Sequence, residues 1–537
     1  MVLEQRKRCW WGWGYQDAQL NQQEIQNLSK AVSNLSQLEK PIDPPKPSDL
    51  HLPDPKLKPP KEFNSFSTID PLERIRHSAG SSFIDVTKKL NLLIKEYPDL
   101  VIYPETEQQV IKVLDWAQSK NIAVIVYGAG SSVVGGVSTE GSWRDDFSGV
   151  ISLDLAKLNQ VIEVDRVSQA ARIQAGIYGP ELENSLRNFG LTLRHFPQSF
   201  ECSSLGGWIA TRSGGHYATG PTHIDDFVES IRAITPRGIF ESRRLPGSGA
   251  GPSPDRFWLG SEGTFGVITE AWIRLQKRVI FRSSLEAHFN TFEQGYLATK
   301  ALIQSGLRPA NCRLIEATEA LINGVSDGKT HILLVGFESA DFDTSYLLKQ
   351  ASEILKENSA QIKNEKTTKT AQEQSSDAAK AWRNSFIKAP YTRDALVRLG
   401  VIVDTFETAI TWDKFESFHE KVTAETKEAI NSAADNVGLV TCRFTHVYPD
   451  GPAPYYSVVA KGKLKAQDRI KQWQDIKAQA SEAVIENGGT ITHHHAIGRD
   501  HVPYYQLQIP RLHIESLSSI KKLYDPQNIL NPGILGI

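Results

Sequence analysis

Hydrophobic and polar positions along the chain predict helices and strands in alternation from about residue 99 onward. Apolar residues recur at helical spacing over Val110–Ala117, behind a capping-box sequence at Thr106–Gln109. The β-branched run Ile122–Val126 then predicts a buried strand that ends in a glycine-rich turn. This part of the chain therefore has the pattern of a helix packed on a sheet.

Further elements complete a first block that closes near Leu275. Strands are predicted over Val150–Leu155 and Ala171–Ala175. A helix follows, with Pro180 in its first turn and Gly190 as its terminator.

The regions outside this block have a different pattern. From Val279 onward glycine is rarer, which predicts a second α+β domain. The polar stretch Lys356–Lys380 predicts either a solvated helix and loop, the favoured interpretation, or a mobile lid. Before the block, prolines crowd Pro41–Pro60 and predict an extended linker, and the aromatic segment Trp10–Tyr15 is expected to pack on another surface.

Composition narrows the classes of protein to which the chain can belong. The 537 residues carry a net charge of -2, which gives no reason to expect a nucleic-acid partner. No apolar run reaches the roughly 20 residues that span a bilayer. The four cysteines are scattered without a CxxC pair, so neither a disulfide framework nor a metal cluster is expected and a cytoplasmic location is the default.

Three loops rich in small residues are the first sign of chemistry. They have the sequences VYGAGSSVVGG from Val126, PQSFECSSLGGW from Pro197 and GSEGTFGVITE from Gly260. Glycine exposes backbone N–H groups without a covering side chain, and these donors with serine hydroxyls suit the oxygens of a pyrophosphate. One such loop is weak evidence, but three within one domain predict a backbone pressed against a large polar ligand.

The order of these loops resembles the FAD-binding domain of the vanillyl-alcohol-oxidase (p-cresol methylhydroxylase) superfamily. The resemblance implies an α+β fold, in which a two-subdomain FAD-binding domain is joined to an α+β cap domain that binds substrate. It implies FAD as cofactor, and because the loop from Tyr127 to Val137 has no histidine, we expect the FAD to be bound non-covalently. The implied cofactor residues are Val126, Tyr127, Gly128, Ala129, Gly130, Ser131, Ser132, Pro197, Gln198, Ser199, Ser203, Ser204, Gly207, Thr211, Arg212, Ser213, Gly214, Glu262, Gly263, Thr264, Gly266, Val267 and Ile268.

The same resemblance divides the chain into four parts. Residues 1–92 form an N-terminal extension with a helical segment and the proline-rich linker, and residues 93–278 form the FAD-binding domain. Residues 279–500 form the cap domain, and residues 501–537 form a C-terminal helical segment that returns to the FAD domain.

Within the superfamily the chain is similar to the alkyldihydroxyacetonephosphate synthases, which exchange the acyl group of 1-acyl-dihydroxyacetone phosphate for a long-chain alcohol in ether-lipid synthesis. The likeness includes the segments Trp11–Tyr15 and Phe406–Thr408. It implies that Tyr455 handles the C1 proton and that the histidines, His494 foremost, assist departure of the carboxylate. The implied catalytic residues are Tyr455, His493, His494, His495 and Arg313, with Arg393 binding the phosphate or the leaving group.

The histidine triplet His493–His495 can also be interpreted without the resemblance. On a strand, successive side chains alternate faces, so His493 and His495 would share one face and His494 would lie on the other. That geometry, with no acidic or cysteine partner at ligand spacing, argues against a metal site, and a bare triplet is more often a solvated tract.

Several features keep a second function open. Gln198 stands where the synthases usually have aspartate, and the C-terminal sequence Asp525–Gly533 resembles that of flavin-dependent D-lactate dehydrogenases and glycolate oxidase subunits. The alternative is therefore an FAD-dependent oxidase or dehydrogenase of a 2-hydroxy acid, and a scaffold without catalysis is a third. The expected partners are a small-molecule or lipid substrate and a second copy in a homodimer, with possible peripheral membrane contact.

Overall fold

The computed structural model describes residues 6–368 and 377–537 as helices packed on three main sheets. The strands are β1 Ser67–Thr68, β2 Leu100–Ile102, β3 Ile122–Tyr127, β4 Gly149–Asp154, β5 Val161–Asp165, β6 Ala170–Gln174, β7 Leu191–Thr192, β8 Val228–Thr235, β9 Gly238–Glu241, β10 Val267–Arg274, β11 Gln276–Lys277, β12 Phe281–Phe289, β13 Asn311–Ile315, β14 His331–Ser339, β15 Gln361–Thr368, β16 Ile402–Glu407, β17 Gly438–Val447 and β18 Pro452–Ala460. The helices are α1 Gln22–Ala31, α2 Pro71–Arg76, α3 Phe83–Leu90, α4 Glu107–Lys120, α5 Gly179–Arg187, α6 Leu205–Thr211, α7 Phe292–Gln304, α8 Ala317–Ile322, α9 Ser345–Glu357, α10 Asp377–Arg398, α11 Trp412–Ala433, α12 Ala466–Glu486, α13 Val502–Gln508 and α14 Arg511–Tyr524.

The first sheet has the order β1-β2-β4-β3, in which β2, β4 and β3 run parallel and β1 pairs antiparallel with β2. Helix α4 begins after Thr106, whose hydroxyl accepts a hydrogen bond from the Gln109 amide at 3.2 Å. The Gln109 side chain accepts from the Glu105 amide instead of Thr106, so the predicted capping box forms only in part. Strand β3 ends at Tyr127, where the first glycine loop begins.

The second sheet has the antiparallel order β5-β6-β10-β8-β9. Its core joins Ile173 from the sheet, Trp208 from α6, Phe265 from the third glycine loop and Trp258 from the turn before that loop. Packing of this core sets the second and third glycine loops beside the end of β3, because α6 begins directly after the second loop and β10 directly after the third.

The seven-stranded sheet, with the order β15-β12-β14-β13-β17-β18-β16, carries the third part of the site. Pairing of β16 with β18 sets Glu407 opposite Tyr455, and pairing of β17 with β18 sets Arg443 opposite the same tyrosine. Residues directly opposite one another on neighbouring strands share a face of the sheet. The register therefore aligns a carboxylate, a phenol and a guanidinium across three strands.

The prediction for Lys356–Lys380 was wrong in part. Gln361–Thr368 forms an edge strand, β15, that pairs with β12, and α9 ends before it at Glu357. Strand β15 is polar because it lies at the edge of the sheet, so most of its side chains face solvent. The remainder of this stretch, for which a solvated helix and loop or a lid was predicted, includes residues 369–376, which lie outside the described residues.

Both ends of the described chain return to the first glycine loop. Residues 529–531 lie alongside β3, where the Val124 amide donates to the Ile529 carbonyl at 2.7 Å and the Asn531 amide donates to the Val124 carbonyl at 2.9 Å. Near the other end, Arg8 and Tyr15 form an antiparallel bridge, which makes residues 8–15 a small hairpin.

The four cysteines are all buried and free. Within residues 6–368 and 377–537, the helices do not combine the length and apolar character that crossing a bilayer requires.

Candidate active site

A cavity of about 510 Å³ lies where the three glycine loops meet the seven-stranded sheet. Backbone and small side chains line one side of it, and aromatic, imidazole and guanidinium groups line the other. The two sides therefore offer different chemistry to a bound molecule.

The first loop reaches the cavity without side chains because the space behind it is filled. Gly130 has φ +71°, and a Cβ atom there would lie 2.0 Å from the Tyr127 hydroxyl oxygen. A Cβ atom at Gly128 would lie 2.5 Å from Oγ of Ser204 in the second loop. Glycine at both positions thus lets two loops approach closely and leaves backbone groups as the cavity wall.

The third loop is fixed by a buried carboxylate. Glu262 has φ +47°, and its two oxygens accept from the amides of Ile497 and Gly498, both at 2.8 Å. Burial raises the pKa of Glu262 to about 7, although these amides act in the opposite direction. Glu262 thus joins the FAD-side loop to the chain that follows the histidine triplet.

Most of the predicted cofactor residues line the cavity. They are Val126, Gly128, Ala129, Gly130, Ser131, Ser132, Pro197, Gln198, Ser199, Ser203, Ser204, Gly207, Thr211, Ser213, Gly214, Glu262, Gly263, Gly266 and Ile268.

Four predicted residues, Tyr127, Arg212, Thr264 and Val267, do not line it. The Tyr127 ring supports the loop from behind, and Val267 is buried in the core of the first sheet. The Thr264 hydroxyl donates to the Ser261 carbonyl. Arg212 pairs with Asp225 at 2.8 Å and is largely exposed. They shape the loops, and the sequence pattern did not separate that role from contact with the ligand.

On the opposite side, Tyr455 is buried and lines the cavity. Its hydroxyl donates to Oγ1 of Thr405 at 2.9 Å, and the Arg443 guanidinium lies 3.9 Å from the centre of its ring. Burial raises the pKa of Tyr455, an effect that Arg443 and Thr405 only partly offset. The phenol is therefore protonated at neutral pH and serves as a proton or hydrogen-bond donor in its resting state.

A second buried arginine, Arg313, also lines the cavity, as predicted. One of its nitrogens donates to the His216 carbonyl at 3.2 Å. Burial, with some repulsion from Arg443, lowers the pKa of Arg313 to about 9. Two guanidinium groups in one enclosed space favour a bound anion.

Arg393 lines the cavity from α10, and Asp394 fixes its position. The guanidinium donates to Oδ1 of Asp394 at 2.7 Å, and the Trp13 amide donates to Oδ2 of the same carboxylate at 2.5 Å. In the same hairpin, Arg8 donates to the Ala129 carbonyl at 2.8 Å. The aromatic segment predicted to pack on another surface thus spans from the first glycine loop to the arginine side of the cavity.

The prediction that the histidine triplet forms a strand was wrong. Residues 493–495 form a bend, because one carboxylate binds three consecutive amides. Glu407 accepts from the amides of His493 at 2.5 Å, His494 at 3.2 Å and His495 at 2.9 Å. The bend places His494 and His495 at the cavity and turns His493 away from it, which is not the alternation that a strand would give.

Burial keeps the imidazoles of His494 and His495 neutral. Burial lowers the pKa of His494 to about 3 and also lowers that of His495, even though Glu407 acts to raise both. Burial alone would raise the pKa of Glu407, but the histidines and Thr492 hold it below its usual range. A fixed carboxylate thus stands behind two neutral imidazoles.

The same bend brings possible metal ligands together, including an acidic partner that sequence spacing did not reveal. Ligand atoms of His446, His493 and His494 lie within 4.8 Å of one another, as do those of Glu407, His494 and His495. Internal hydrogen bonds already occupy several of these atoms: Nε2 of His446 lies 2.9 Å from the Gly215 carbonyl oxygen. This arrangement has the character of a hydrogen-bonded cluster.

Comparison with protein families identifies the architecture. Residues 98–242 match the FAD binding domain family, and residues 281–535 match the C-terminal domain of the FAD linked oxidases. The chain therefore contains the two domains that these families describe. This assignment confirms the predicted vanillyl-alcohol-oxidase type of fold and FAD as the cofactor.

Individual relatives of the chain include synthases and oxidases. The chain is 28% identical over 495 residues to the alkyldihydroxyacetonephosphate synthase of Dictyostelium discoideum, a match that covers 86% of this chain and 77% of the relative. It is 24% identical over 449 residues to the glycolate oxidase subunit GlcD of Bacillus subtilis, with 81% and 88% covered. A solved alkyldihydroxyacetonephosphate synthase superposes with a TM-score of 0.79 at 24% identity, with 98% of each chain covered.

The cavity fits FAD in the way that the loops predicted. Three loops offer bare backbone where a Cβ atom would collide with a neighbour, which is the cradle that a pyrophosphate requires. A further residue, Asn531, completes it: its Oδ1 accepts from the Val126 amide at 2.7 Å, and its Nδ2 donates to the Glu262 carbonyl at 2.5 Å. Asn531 was missed as a site residue because the C-terminal sequence was considered only as evidence about substrate.

Sequence reasoning also missed Arg443 and Glu319. Arg443 donates to Glu319 and, at 3.1 Å, to Oγ of Ser457, and Glu319 also accepts from Thr441. All four side chains line the cavity. They come from three separate elements, so only sheet pairing brings them together, and no local spacing could have revealed them.

Proposed function

We propose that this protein catalyses the alkyldihydroxyacetonephosphate synthase reaction, in which a long-chain alcohol replaces the acyl group of 1-acyl-dihydroxyacetone phosphate. The supporting observation is the convergence of Tyr455, His494, His495, Arg313 and Arg393 on one cavity beside the FAD loops. Similarity to synthases over most of the chain supports the same proposal.

The arginines bind the anionic part of the substrate. Arg393 is held by Asp394 at the cavity, and Arg313 is buried opposite the glycine loops. A guanidinium binds phosphate or carboxylate oxygens through paired hydrogen bonds. We assign the phosphate to Arg393 and the acyl carboxylate, as it departs, to Arg313.

Apolar side chains offer room for the alkyl and acyl chains. Ile322, Leu396, Val403 and Val459 line the cavity on the side of the arginines and Tyr455. Burial of methylene groups contributes about 0.8 kcal/mol each, so a long chain would gain most of its binding energy there.

Proton transfers fall to Tyr455 and the histidines. Over one turnover the buried Tyr455 phenol exchanges one proton with C1 and ends protonated as it began, and neutral His494 accepts the proton of the incoming alcohol. FAD, when bound, supplies the electrophilic ring system beside which the C1 centre reacts. Enclosure of the site excludes water, which would otherwise compete with the alcohol.

The decisive experiment supplies FAD-loaded protein with 1-acyl-dihydroxyacetone phosphate and an isotope-labelled long-chain alcohol. We expect labelled ether product and one released fatty acid per product. Release of fatty acid without incorporation of the alcohol would contradict the proposal.

Oxidation of a 2-hydroxy acid is a second candidate, favoured by the similarity to a glycolate oxidase subunit. The C-terminal sequence that this candidate shares has a cofactor-side role here, since Asn531 joins the first and third FAD loops. The C-terminal sequence is therefore weaker evidence that the substrate is a 2-hydroxy acid. Anaerobic bleaching of the flavin by D-lactate or glycolate would establish this second candidate in place of the first.

A further inference from the structure

His223, a histidine outside the predicted set, contacts the triplet from the side away from the cavity. Its Nδ1 lies 3.1 Å from the Arg212 carbonyl oxygen, and its Nε2 lies 3.2 Å from Nε2 of His493. A carbonyl oxygen only accepts, so Nδ1 of neutral His223 carries the hydrogen and Nε2 carries a lone pair. His223 is half-buried and does not line the cavity.

This lone pair determines the tautomer of His493. Nε2 of His493 faces Nε2 of His223 at 3.2 Å and also the Tyr448 hydroxyl oxygen at 2.8 Å. The bare Nε2 of His223 can only accept, and a hydroxyl can accept as well as donate, so a hydrogen on Nε2 of His493 suits both neighbours. Nδ1 of His493 is then left with its lone pair.

His494 is fixed from two sides. Its Nδ1 lies 3.0 Å from Nδ1 of His493 and 3.5 Å from Oε2 of Glu407. The first partner carries a lone pair and the second is a carboxylate, so both require a hydrogen on Nδ1 of His494. Nε2 of His494 is therefore a free acceptor for the cavity that this residue lines.

We propose that His223 and His493 form a proton relay that fixes the tautomer of His494 and stores the proton that His494 takes from the substrate. This proposal rests on the proposed acyl-for-alkyl exchange. His223 and His493 are positioning residues, since they act on the reacting atoms through His494.

The relay moves a positive charge out of the buried cavity. An imidazolium at His494 is costly, because burial lowers the pKa of this residue by more than Glu407 raises it, and Arg443 adds to the decrease. When Nε2 of His494 accepts the alcohol proton, Nδ1 passes its own hydrogen to His493, and Nε2 of His493 passes its hydrogen to His223. The charge then lies at the half-buried end of the chain instead of inside the cavity.

The reverse transfer closes the cycle. The same hydrogens move back when His494 donates the stored proton to the departing carboxylate, which restores all three tautomers. The alcohol proton thus leaves with the fatty acid, no electron is gained or lost by the relay, and no further reactant is needed.

The first test measures tautomers without turnover. FAD-loaded protein labelled with ¹⁵N at histidine is examined by NMR, with the His494 signals assigned from a His494→Gln sample. We expect hydrogen on Nδ1 of His494, retained in His223→Gln, whose amide oxygen still accepts from His493, and lost or mixed in His223→Leu. Hydrogen on Nε2 of His494 in the unchanged protein would overturn the proposal.

The second test measures turnover of the same variants. Both His223→Gln and His223→Leu should lower kcat by roughly 10- to 100-fold with KM little changed, because neither side chain can hold the proton. Free imidazole should partly restore kcat in His223→Ala, and His513→Gln, on the exposed surface of α14, is the matched control.

Full kcat in His223→Gln would overturn the relay. If the unchanged protein performs no exchange but shows the expected tautomers, the proposed function fails and the tautomer assignment stands. The two failures are therefore distinguishable.

Discussion

The glycine-loop side and the histidine side of the cavity achieve a fixed geometry by opposite means. On the loop side, side chains are absent at Gly128 and Gly130, and backbone groups form the wall. On the histidine side, a buried carboxylate, Glu407, binds three amides and sets the rings around it. A cofactor common to many enzymes is bound by backbone, and the reaction particular to one enzyme depends on side chains.

The largest effect is expected from adding a side chain on the loop side, because this variant should lose the cofactor itself. In Gly130→Leu, a Cβ atom would meet the Tyr127 hydroxyl at 2.0 Å in a left-handed conformation that disfavours leucine. FAD affinity should fall by about 100-fold or more, which flavin absorbance after gel filtration would measure. Gly249→Leu, where the added atom has open space, is the control. A yellow Gly130→Leu protein would contradict the role of Gly130 in FAD binding.

On the histidine side, removal of the Tyr455 hydroxyl oxygen should stop the reaction but leave FAD bound. Tyr455→Phe removes the buried phenol that donates to Thr405, so kcat should fall by roughly 100- to 10,000-fold while FAD stays bound. The neighbouring Tyr456→Phe, which loses only a contact with His419, should retain turnover. Equal turnover in both variants would remove Tyr455 from the mechanism.

A third change tests whether Glu407 organises the histidine bend. Glu407→Gln retains the size of the side chain but loses the charge that accepts three amides, and we expect a lower free energy of unfolding by about 3 kcal/mol at neutral pH.

The pH dependence of that loss follows from the direction of the pKa shift. The pKa of Glu407 in the folded chain is below its ordinary value of 4.5, so its stabilisation is present above that pH and is lost as pH falls. Denaturant titrations should therefore show the difference between Glu407→Gln and the unchanged protein narrowing below about pH 4.5. A difference independent of pH, or one equal to that of the exposed Glu420→Gln, would show that the charge has no such role.

The smallest effect is expected at the support of Arg393. Asp394→Asn keeps an acceptor for the Trp13 amide but loses the ion pair, so the guanidinium is held less firmly. KM for the phosphorylated substrate should rise roughly tenfold with kcat within about twofold. Steady-state kinetics measure both constants, with the exposed Asp413→Asn as the control variant. A fall in kcat alone would assign Arg393 to the chemical step.

The comparison also explains which features the sequence predicted. Glycine loops are local patterns, so the cradle formed by Gly128, Gly130 and Glu262 and the strand before it were predictable from neighbouring residues. The Glu407 bend and the ion pair of Arg443 with Glu319 depend on strand register, which joins residues far apart in sequence. The strand predicted for the triplet failed because a distant carboxylate determined its backbone.

Closure of the first glycine loop by residues 529–531 has a consequence for biosynthesis. The Val126 amide and the Glu262 carbonyl find their partner in Asn531, a residue translated several hundred positions after the loop. The nucleotide pocket is therefore incomplete until residues 529–531 have been synthesised and have folded back beside the loop. Insertion of the flavin must wait for that step, and a fragment that stops before Asn531 should be colourless even if its sheets form.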